Sequence, residues 1–354
     1  MAKKTIYELA KELEIAPSTI SKALNNVKGV NEKTRKRIME YAKSTGYVAN
    51  PTARALKSKR NFTIGILYSE ESHIGLEHPF FSPVLQSAKE FLENKGYDLI
   101  FINSKSKDYS SYAEFCELRN IAGIFVVSAS KDDILLKELV YDNSFKVVAT
   151  DYINDDVPTV LSDNYDAVNQ LIEYFKKCNF KNVGILCIPN GVRSFKERYN
   201  AFLTECSKNN IKVDNENIII ATDYSFSSAY KAMTNYLKNK KELPEAIFAL
   251  SDIFGVAAIK ALTDFNYNVP NNCSIIGFDD IELGRYVTPS LSTLKQNTKE
   301  IGETAAKILL GQLNGVELTD KAVTLKGGIK ENGTESYVFE DLPKYSTDGT
   351  EYVY

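Results

Sequence analysis

The chain has 354 residues, of which 44% are apolar and 25% charged, with a formal net charge of −3. This length can bury a sizeable core in two or three domains, and the composition is that of a soluble globular protein. No apolar run reaches the roughly 20 residues that a membrane span needs. The start, Met1-Ala2-Lys3-Lys4-Thr5-Ile6, lacks the apolar core of a signal peptide, so a cytoplasmic protein is expected. Cys116, Cys178, Cys187, Cys206 and Cys273 are scattered, without a CxxC pair, and read as buried free thiols. With only His73 and His78 as histidines, no His-based metal site is expected, and no cofactor is implied.

Charge is spread unevenly. Residues 1–60 hold 14 Lys and Arg against 5 Asp and Glu, a balance of +9, which leaves −12 for the remainder. A basic head on an acidic body fits nucleic-acid binding by the head.

Ile6, Leu9, Ala10 and Leu13 recur at helical spacing and predict a first helix with one apolar face. After a break at 14–16, Pro17 suits the first turn of a second helix, with Ile20, Ala23 and Leu24 inward; Asn25, Asn26 and Gly29 end it. Asn31 suits the N-cap of a third helix, with Ile38, Met39 and Ala42 inside and Gly46 as its stop. Three short helices, the second about four residues after the first, describe a helix-turn-helix over residues 1–49. The second helix turns Pro17, Ser18, Ser21 and Lys22 outward, and a recognition helix offers its N-terminal residues to base edges in the major groove. Lys22 can donate to guanine O6 and N7, and Ser18 can contact either type of edge. Thr5, Tyr7, Thr19, Asn25 and Thr34 supply hydroxyls or an amide suited to phosphate. The plainer alternative is a three-helix bundle with a polar face.

Residues 50–60 form the hinge between head and body. Pro51 can start a helix there, but a run as short as Ala53, Ala55 and Leu56 is marginal alone and should order only against a partner. Arg54, Lys57, Lys59 and Arg60 make that partner a polyanion; the alternative is an ordinary basic linker.

From residue 61 the pattern changes. Strands are predicted at 62–68, 97–103, 121–128, 146–151, 183–188, 217–222, 246–251 and 274–278, with helices between them. One such helix is capped by Ser82-Pro83, runs to Lys95 and stops at Gly96. Alternating strands and helices mean parallel sheets covered on both faces, and the number of strands calls for two sheets. The break between them is expected near residues 161–164, and a late strand at 291–295 is expected to cross back to the first half.

Ligands of such sheets bind beyond the carboxyl ends of the strands. That rule selects Phe80, Phe81, Asp151, Tyr224, Ser251, Asp252, Asp279 and Asp280, with Arg198 on the helix after strand 183–188. Carboxylates accept from hydroxyls, arginine donates to oxygens and rings cover C–H faces, so this set suits a neutral polyhydroxylated ligand. Asp151, Asp252 and Asp280 would equally suit helix N-caps, Phe81 and Tyr224 the core, and Arg198 a surface ion pair.

Thr5-Ile6-Tyr7-Glu8-Leu9-Ala10, then Ala16-Pro17-Ser18-Thr19-Ile20-Ser21-Lys22-Ala23-Leu24-Asn25, then Gly46-Tyr47-Val48-Ala49-Asn50-Pro51, resemble the LacI/GalR family of bacterial transcription regulators. The resemblance continues through Glu197-Arg198-Tyr199-Asn200-Ala201-Phe202 and Gly277-Phe278-Asp279-Asp280. It implies a fold: an all-α helix-turn-helix head and hinge helix joined to an α/β periplasmic-binding-protein-like core of two doubly wound parallel-sheet subdomains. The core would span 61–340, its N-subdomain 61–161 plus 292–322 and its C-subdomain 162–291 plus 323–340, followed by a polar tail at 341–354. The resemblance adds Asn50, Ala53 and Leu56 to the DNA contacts, with Leu56 wedging into the minor groove of the operator, as an apolar wedge that unstacks a base step would. It also implies effector contacts at Phe80, Phe81, Asp151, Arg198, Tyr224, Ser251, Asp279 and Gln296.

Two positions depart from the family pattern. Lys22 stands where arginine is commoner and lacks its bidentate fork; Ser251 stands where asparagine is commoner, which leaves the sugar unnamed. The loop at 70–78 is longer than usual and reads as a lid or as a surface insertion. The tail lacks leucine heptads, and a homodimer on a pseudo-palindromic operator is the minimum that one head per half-site allows. The expectation is a sugar-responsive DNA-binding repressor without enzymatic activity. Two rivals are a transport sugar-binding protein, which has no use for residues 1–60, and an enzyme on a doubly wound fold, which needs a nucleophile, metal or phosphate loop.

Overall fold

Thr5 opens the first helix through a capping box. Its hydroxyl accepts from the Glu8 N–H at 3.3 Å, and the Glu8 carboxylate accepts from the Thr5 N–H at 2.6 Å, so two orphan donors are satisfied at once. The helix α1 covers Ile6–Leu13, α2 covers Pro17–Leu24 and α3 covers Glu32–Ser44. Asn31 caps α3 by accepting from Thr34 N at 2.8 Å, and Gly46 takes the left-handed conformation beyond its end, at φ +64°. Leu9, Leu13, Ile20, Ala23, Ile38 and Ala42 form the core of the head. Met39, expected inside, is 50% exposed: it lies about 100° round the helix from Ile38, and Tyr41 and Tyr47 pack against the core instead.

This computed structural model describes residues 4–24, 28–47, 61–69, 74–102, 110–129, 133–151, 156–189, 192–239, 242–316 and 322–330. The chain divides into two compact units, residues 1–62 and 63–354. The hinge at 50–60, with Asn50, Ala53 and Leu56, lies outside the described residues, as do Asn25 and the tail at 341–354.

The second unit is built on two six-stranded sheets. Its elements are β1 (Thr63–Tyr68), α4 (Phe81–Asn94), β2 (Asp98–Phe101), α5 (Tyr112–Leu118), β3 (Ile121–Ser128), α6 (Ile134–Asp142), β4 (Lys146–Thr150) and β5 (Thr159–Ser162). There follow α7 (Asn164–Lys177), β6 (Val183–Cys187), α8 (Arg193–Lys208), β7 (Ile218–Ile220), α9 (Phe226–Asn239), β8 (Ala246–Ala249), α10 (Asp252–Asp264) and β9 (Ser274–Asp279). The last are β10 (Ser292–Lys295), α11 (Thr298–Leu313), β11 (Ala322–Leu325) and β12 (Gly328–Lys330). The first sheet runs β11-β5-β4-β3-β1-β2 and the second β12-β10-β9-β8-β6-β7. All pairs are parallel except β10 with β12, which is antiparallel. The central strands are buried runs, as a sheet covered on both faces requires.

Three readings of the sequence are corrected here. The strand at 291–295 does not cross back: β10 pairs with β9 and β12 in the second sheet. The chain crosses just after it, and α11 and β11 complete the first sheet instead. The divisions placed at 291/292 and 322/323 therefore fall a few residues away from the crossings, since β10 belongs to the second sheet and β11 to the first. The helix expected to be capped by Ser82 starts at Phe81, and the group before it is His78, whose Nδ1 accepts from the backbone N–H of Phe80 at 3.3 Å and of Phe81 at 3.4 Å. The short strands β5, β11 and β12 were not foreseen, because each is three or four residues long and sits beside a crossing.

The crossing segments lie side by side. Asp163 N donates to Leu325 O at 2.9 Å, and Gln170 Nε2 to Gly327 O at 3.3 Å. A Cβ on Gly327 would collide with the Lys295 carbonyl, so only glycine allows these two backbones to pass.

Candidate functional site

Two sets of residues carry the functional readings, one in each unit. In the head, Tyr7, Ser18 and Lys22 are exposed, and Pro17, Thr19, Ser21 and Thr34 are half-buried. Thr5 is exposed and its oxygen accepts the capping bond, which leaves its hydroxyl hydrogen to donate outward. Not all of the head's positive charge is equally available. Arg35 Nη1 donates to the Ala23 carbonyl at 3.0 Å and Arg37 Nη2 to the Leu13 carbonyl at 3.4 Å, so both arginines brace the C-terminal ends of α2 and α1. Lys4 is tied to Glu12, which also accepts from the Tyr41 hydroxyl at 2.7 Å. Lys22, by contrast, lies in the last turn of α2 with its side chain in solvent.

In the second unit, the carboxyl ends of both sheets bring the predicted effector residues together. Arg198 lies on α8, 4% exposed. Its Nε donates to Asn164 Oδ1 at 2.9 Å, and its Nη1 donates to Leu250 O at 2.8 Å and to Asp279 Oδ1 at 3.5 Å. Its guanidinium also lies 3.5 Å from the centroid of the Phe278 ring, a cation–π contact that strengthens when desolvated. Burial lowers its basicity, opposed by the charges of Asp279 and Asp151. It is therefore not a surface ion-pair partner. Gln296 sits on the second crossing and donates from Nε2 to Asp279 Oδ1 at 2.5 Å. Burial raises the Asp279 carboxyl above its usual range, while Arg198 and Gln296 pull it down. Two donated bonds to one carboxylate oxygen, one from a charged and one from a neutral group, favour its ionised form and oppose the burial.

Asp151 ends β4 at φ +54°, and Asp279 and Asp280 follow one another at φ +123° and +61°. Left-handed backbone at non-glycine residues carries strain and gathers at functional sites. Among the described residues, none of Asp151, Asp252 and Asp280 is a helix N-cap. Ser251 caps α10 by accepting from Phe254 N at 3.4 Å. Asp252 instead accepts from Ile281 N at 2.8 Å and from the Thr293 hydroxyl at 2.5 Å. Burial, and then the charge of Asp279, raise its carboxyl. A Cβ on Gly277 would collide with that same carboxyl. Asp252 is thus a brace beneath the site, joining α10, β10 and the loop after β9. Asp280 pairs with Lys330 at 3.0 Å.

Ser251 is fully buried, and its hydroxyl accepts the capping bond from Phe254 N. A serine here has a shorter reach than an amide would have. Tyr224 is half-buried among Phe195, Phe254 and His78. The His78 ring stacks on it, with centroids 5.4 Å apart and planes 6° apart. Phe81 closes on His78 at 4.6 Å and on Phe80 at 5.1 Å. The first sheet thus supplies Asp151, Phe80, Phe81 and His78, and the second supplies Arg198, Tyr224, Ser251 and Asp279.

Two participants escaped the sequence reading. His78 lay within the 70–78 loop, whose part at 74–78 is described; there Gly75–Glu77 form one turn of 3-10 helix and His78 is 7% exposed. Arg193 opens α8 and reaches Asp151 Oδ1 at 3.5 Å and Glu197 on its own helix. A basic residue four positions before a glutamate reads as an ordinary helix-surface pair, so sequence carried no signal for it.

Comparison with known proteins follows this division. Residues 5–50 match the model for bacterial regulatory proteins of the lacI family, and residues 172–333 match the periplasmic binding protein-like domain. The HTH-type transcriptional regulator MalR of Clostridium butyricum is 27% identical over 321 residues, covering 86% of this chain and 91% of the relative. The Lac repressor dimer bound to operator and the anti-inducer ONPF superposes with a TM-score of 0.76 at 19% identity, over 95% of this chain and all of that one. The transcriptional regulator CelR in complex with cellobiose superposes with a TM-score of 0.66 at 20% identity, over 94% of this chain and all of that one. At these identities the superpositions speak for the fold. Among the described residues, no helix is long and apolar enough to cross a membrane.

Proposed function

The chain belongs to the lacI family of bacterial regulatory proteins, and from that premise we propose that it is a cytoplasmic, homodimeric repressor whose operator affinity answers to a neutral polyhydroxylated effector. The observation that carries the effector half is the buried assembly of Arg198, Asp279 and Gln296 at the strand ends, flanked by Asp151 and the rings of Phe80, Phe81 and Tyr224. Hydroxyls can donate to its carboxylates and accept from its arginine, and the rings can cover the C–H faces of a sugar. CelR, with the same fold, is known with cellobiose bound, which supports a sugar here.

The DNA half rests on the head. Residues 1–49 act as the DNA-binding domain and 50–60 as the hinge. Ser18 and Lys22 meet base edges, helped by Pro17 and Ser21, while Thr5, Tyr7, Thr19, Asn25, Thr34 and Asn50 meet the backbone. Ala53 and Leu56 act at the minor groove. The Lac repressor relative is a dimer on its operator, which supports two heads on a pseudo-palindrome. Effector binding changes the equilibrium between closures of the two sheets, and operator affinity changes with it by linkage.

The test is operator binding by the full chain across a salt series, with and without sugar. Affinity should fall steeply with salt, as counterion release requires, and one sugar should shift it. Binding that does not depend on salt, or that survives deletion of residues 1–60, would refute the head assignment. A transport role is disfavoured because it leaves the patterned head without purpose.

A further inference from the structure

The site holds a second guanidinium whose placement helix stability does not explain. Arg193 is the first residue of α8. The positive end of the helix macrodipole lies there, so a cation at that position costs the helix stability. The side chain is nevertheless drawn inward, to 14% exposure. Nη1 meets Glu197 one turn along α8, and Nη2 reaches Asp151 from the other sheet at 3.5 Å. Its Nε is buried with no hydrogen-bond partner. Buried donors in folded proteins are almost always paired, and an unpaired one calls for a missing ligand or water.

The two arginines of α8 differ in this respect. Arg198 has committed Nε to Asn164, and Nη1 to Leu250 and Asp279. It is held by the protein. Arg193 holds a donor in reserve beside Asp151, whose left-handed backbone marks it as a constrained position.

We propose that Arg193 is a specificity-determining effector contact, its Nε donating to one hydroxyl oxygen of a neutral polyhydroxylated ligand while Asp151 accepts from a neighbouring hydroxyl. This rests on the effector reading above and deepens it. Asp151 and Glu197 already neutralise the Arg193 charge, so an anionic group brought there would meet two carboxylates. The pair therefore selects uncharged hydroxyls and rejects phosphorylated sugars.

The test is calorimetric titration of the full-length protein with cellobiose, D-ribose, D-xylulose and ribose 5-phosphate, alongside melting curves of the ligand-free protein. The wild type and Arg193→Lys are compared; lysine keeps the charge for Asp151 and Glu197 but has no Nε donor in a planar fork. A neutral sugar should bind the wild type, bind Arg193→Lys at least tenfold more weakly, and leave the ligand-free melting temperature of the variant near that of the wild type. Ribose 5-phosphate should bind neither. Equal sugar affinity in the two proteins overturns the inference, and so does a lowered melting temperature with unchanged affinity, which makes Arg193 a structural brace. A wild type that binds none of the neutral sugars overturns the effector class itself, and with it the acceptor assigned to Arg193; that failure is seen before any variant is made.

Discussion

The head and the sheet-end site hold their functional groups in opposite ways. In the head, Tyr7, Ser18 and Lys22 stand in solvent on a scaffold whose bonds are made by other residues: Thr5 with Glu8, Asn31 with Thr34, and Arg35 and Arg37 on helix ends. At the sheet ends, Arg198, Asp279, Gln296 and Asn164 are buried and bound to one another. Exposed groups are screened and can be removed one at a time. Buried charges interact in low dielectric, and removing one strands the rest. Reading DNA needs the first arrangement, because the partner supplies the neutralising charge. Holding a small ligand needs the second, because the protein must pre-orient its polar groups.

The sharpest way to break this comparison is Arg198→Ala. It leaves Asp279 buried without its cation and should destabilise the sheet unit by about 3–5 kcal/mol, read by urea unfolding. A loss under about 1 kcal/mol would place Arg198 with the screened surface pairs. Combining it with Asp279→Ala should cost far less than the sum of the single losses, because the two act as a unit; additive losses would argue that they act independently.

In the head, Lys22→Ala should leave stability within about 0.5 kcal/mol. It should weaken operator binding by about 1–3 kcal/mol and relax specificity at one base pair. Uniform weakening on all sequences would make Lys22 a phosphate contact instead. Thr5→Ala removes a cap and should cost about 1 kcal/mol of head stability, measured by thermal unfolding. No change would mean that the capping box is dispensable.

The pH dependence of stability is a further test. Burial raises the carboxyls of Asp252 and Asp279, so the folded state binds their protons more tightly than the unfolded chain. Their contribution to stability therefore falls as pH rises from the usual carboxylate pKa, near 4, up through the raised values. Asp252→Asn should flatten that slope in melting curves; a slope equal to the wild type's would assign the dependence elsewhere.

Much of the architecture was legible because it depends on local pattern. Ile6, Leu9, Leu13, Ile20 and Ile38 announced the head by their spacing, and the alternating strands announced two wound sheets. The strand-end rule placed Asp279 at the end of its strand and Arg198 on the helix after the strand at 183–188. Where the reading failed, the deciding term was long-range. Nothing local assigns residues 292–295 to one sheet rather than the other, since both offer parallel partners, and the side-by-side passage of Gly327 and Lys295 settles it. Met39 looked apolar enough for the core, but it stays exposed while Tyr41 and Tyr47 pack against that core.

Sequence by itself determined the order and kind of the elements, the basic head with its outward Ser18 and Lys22, and which carboxylates end strands. These follow from periodicity, capping and charge, all of which act over a few residues. Tertiary structure alone decided that Asp252 braces rather than caps, that His78 stacks on Tyr224, and that Arg193 faces Asp151 from the other sheet with its Nε unpaired. Each of these joins residues from about 30 to nearly 150 positions apart. Such contacts exist only once the sheets have folded and their ends have been brought together, and no local propensity encodes them.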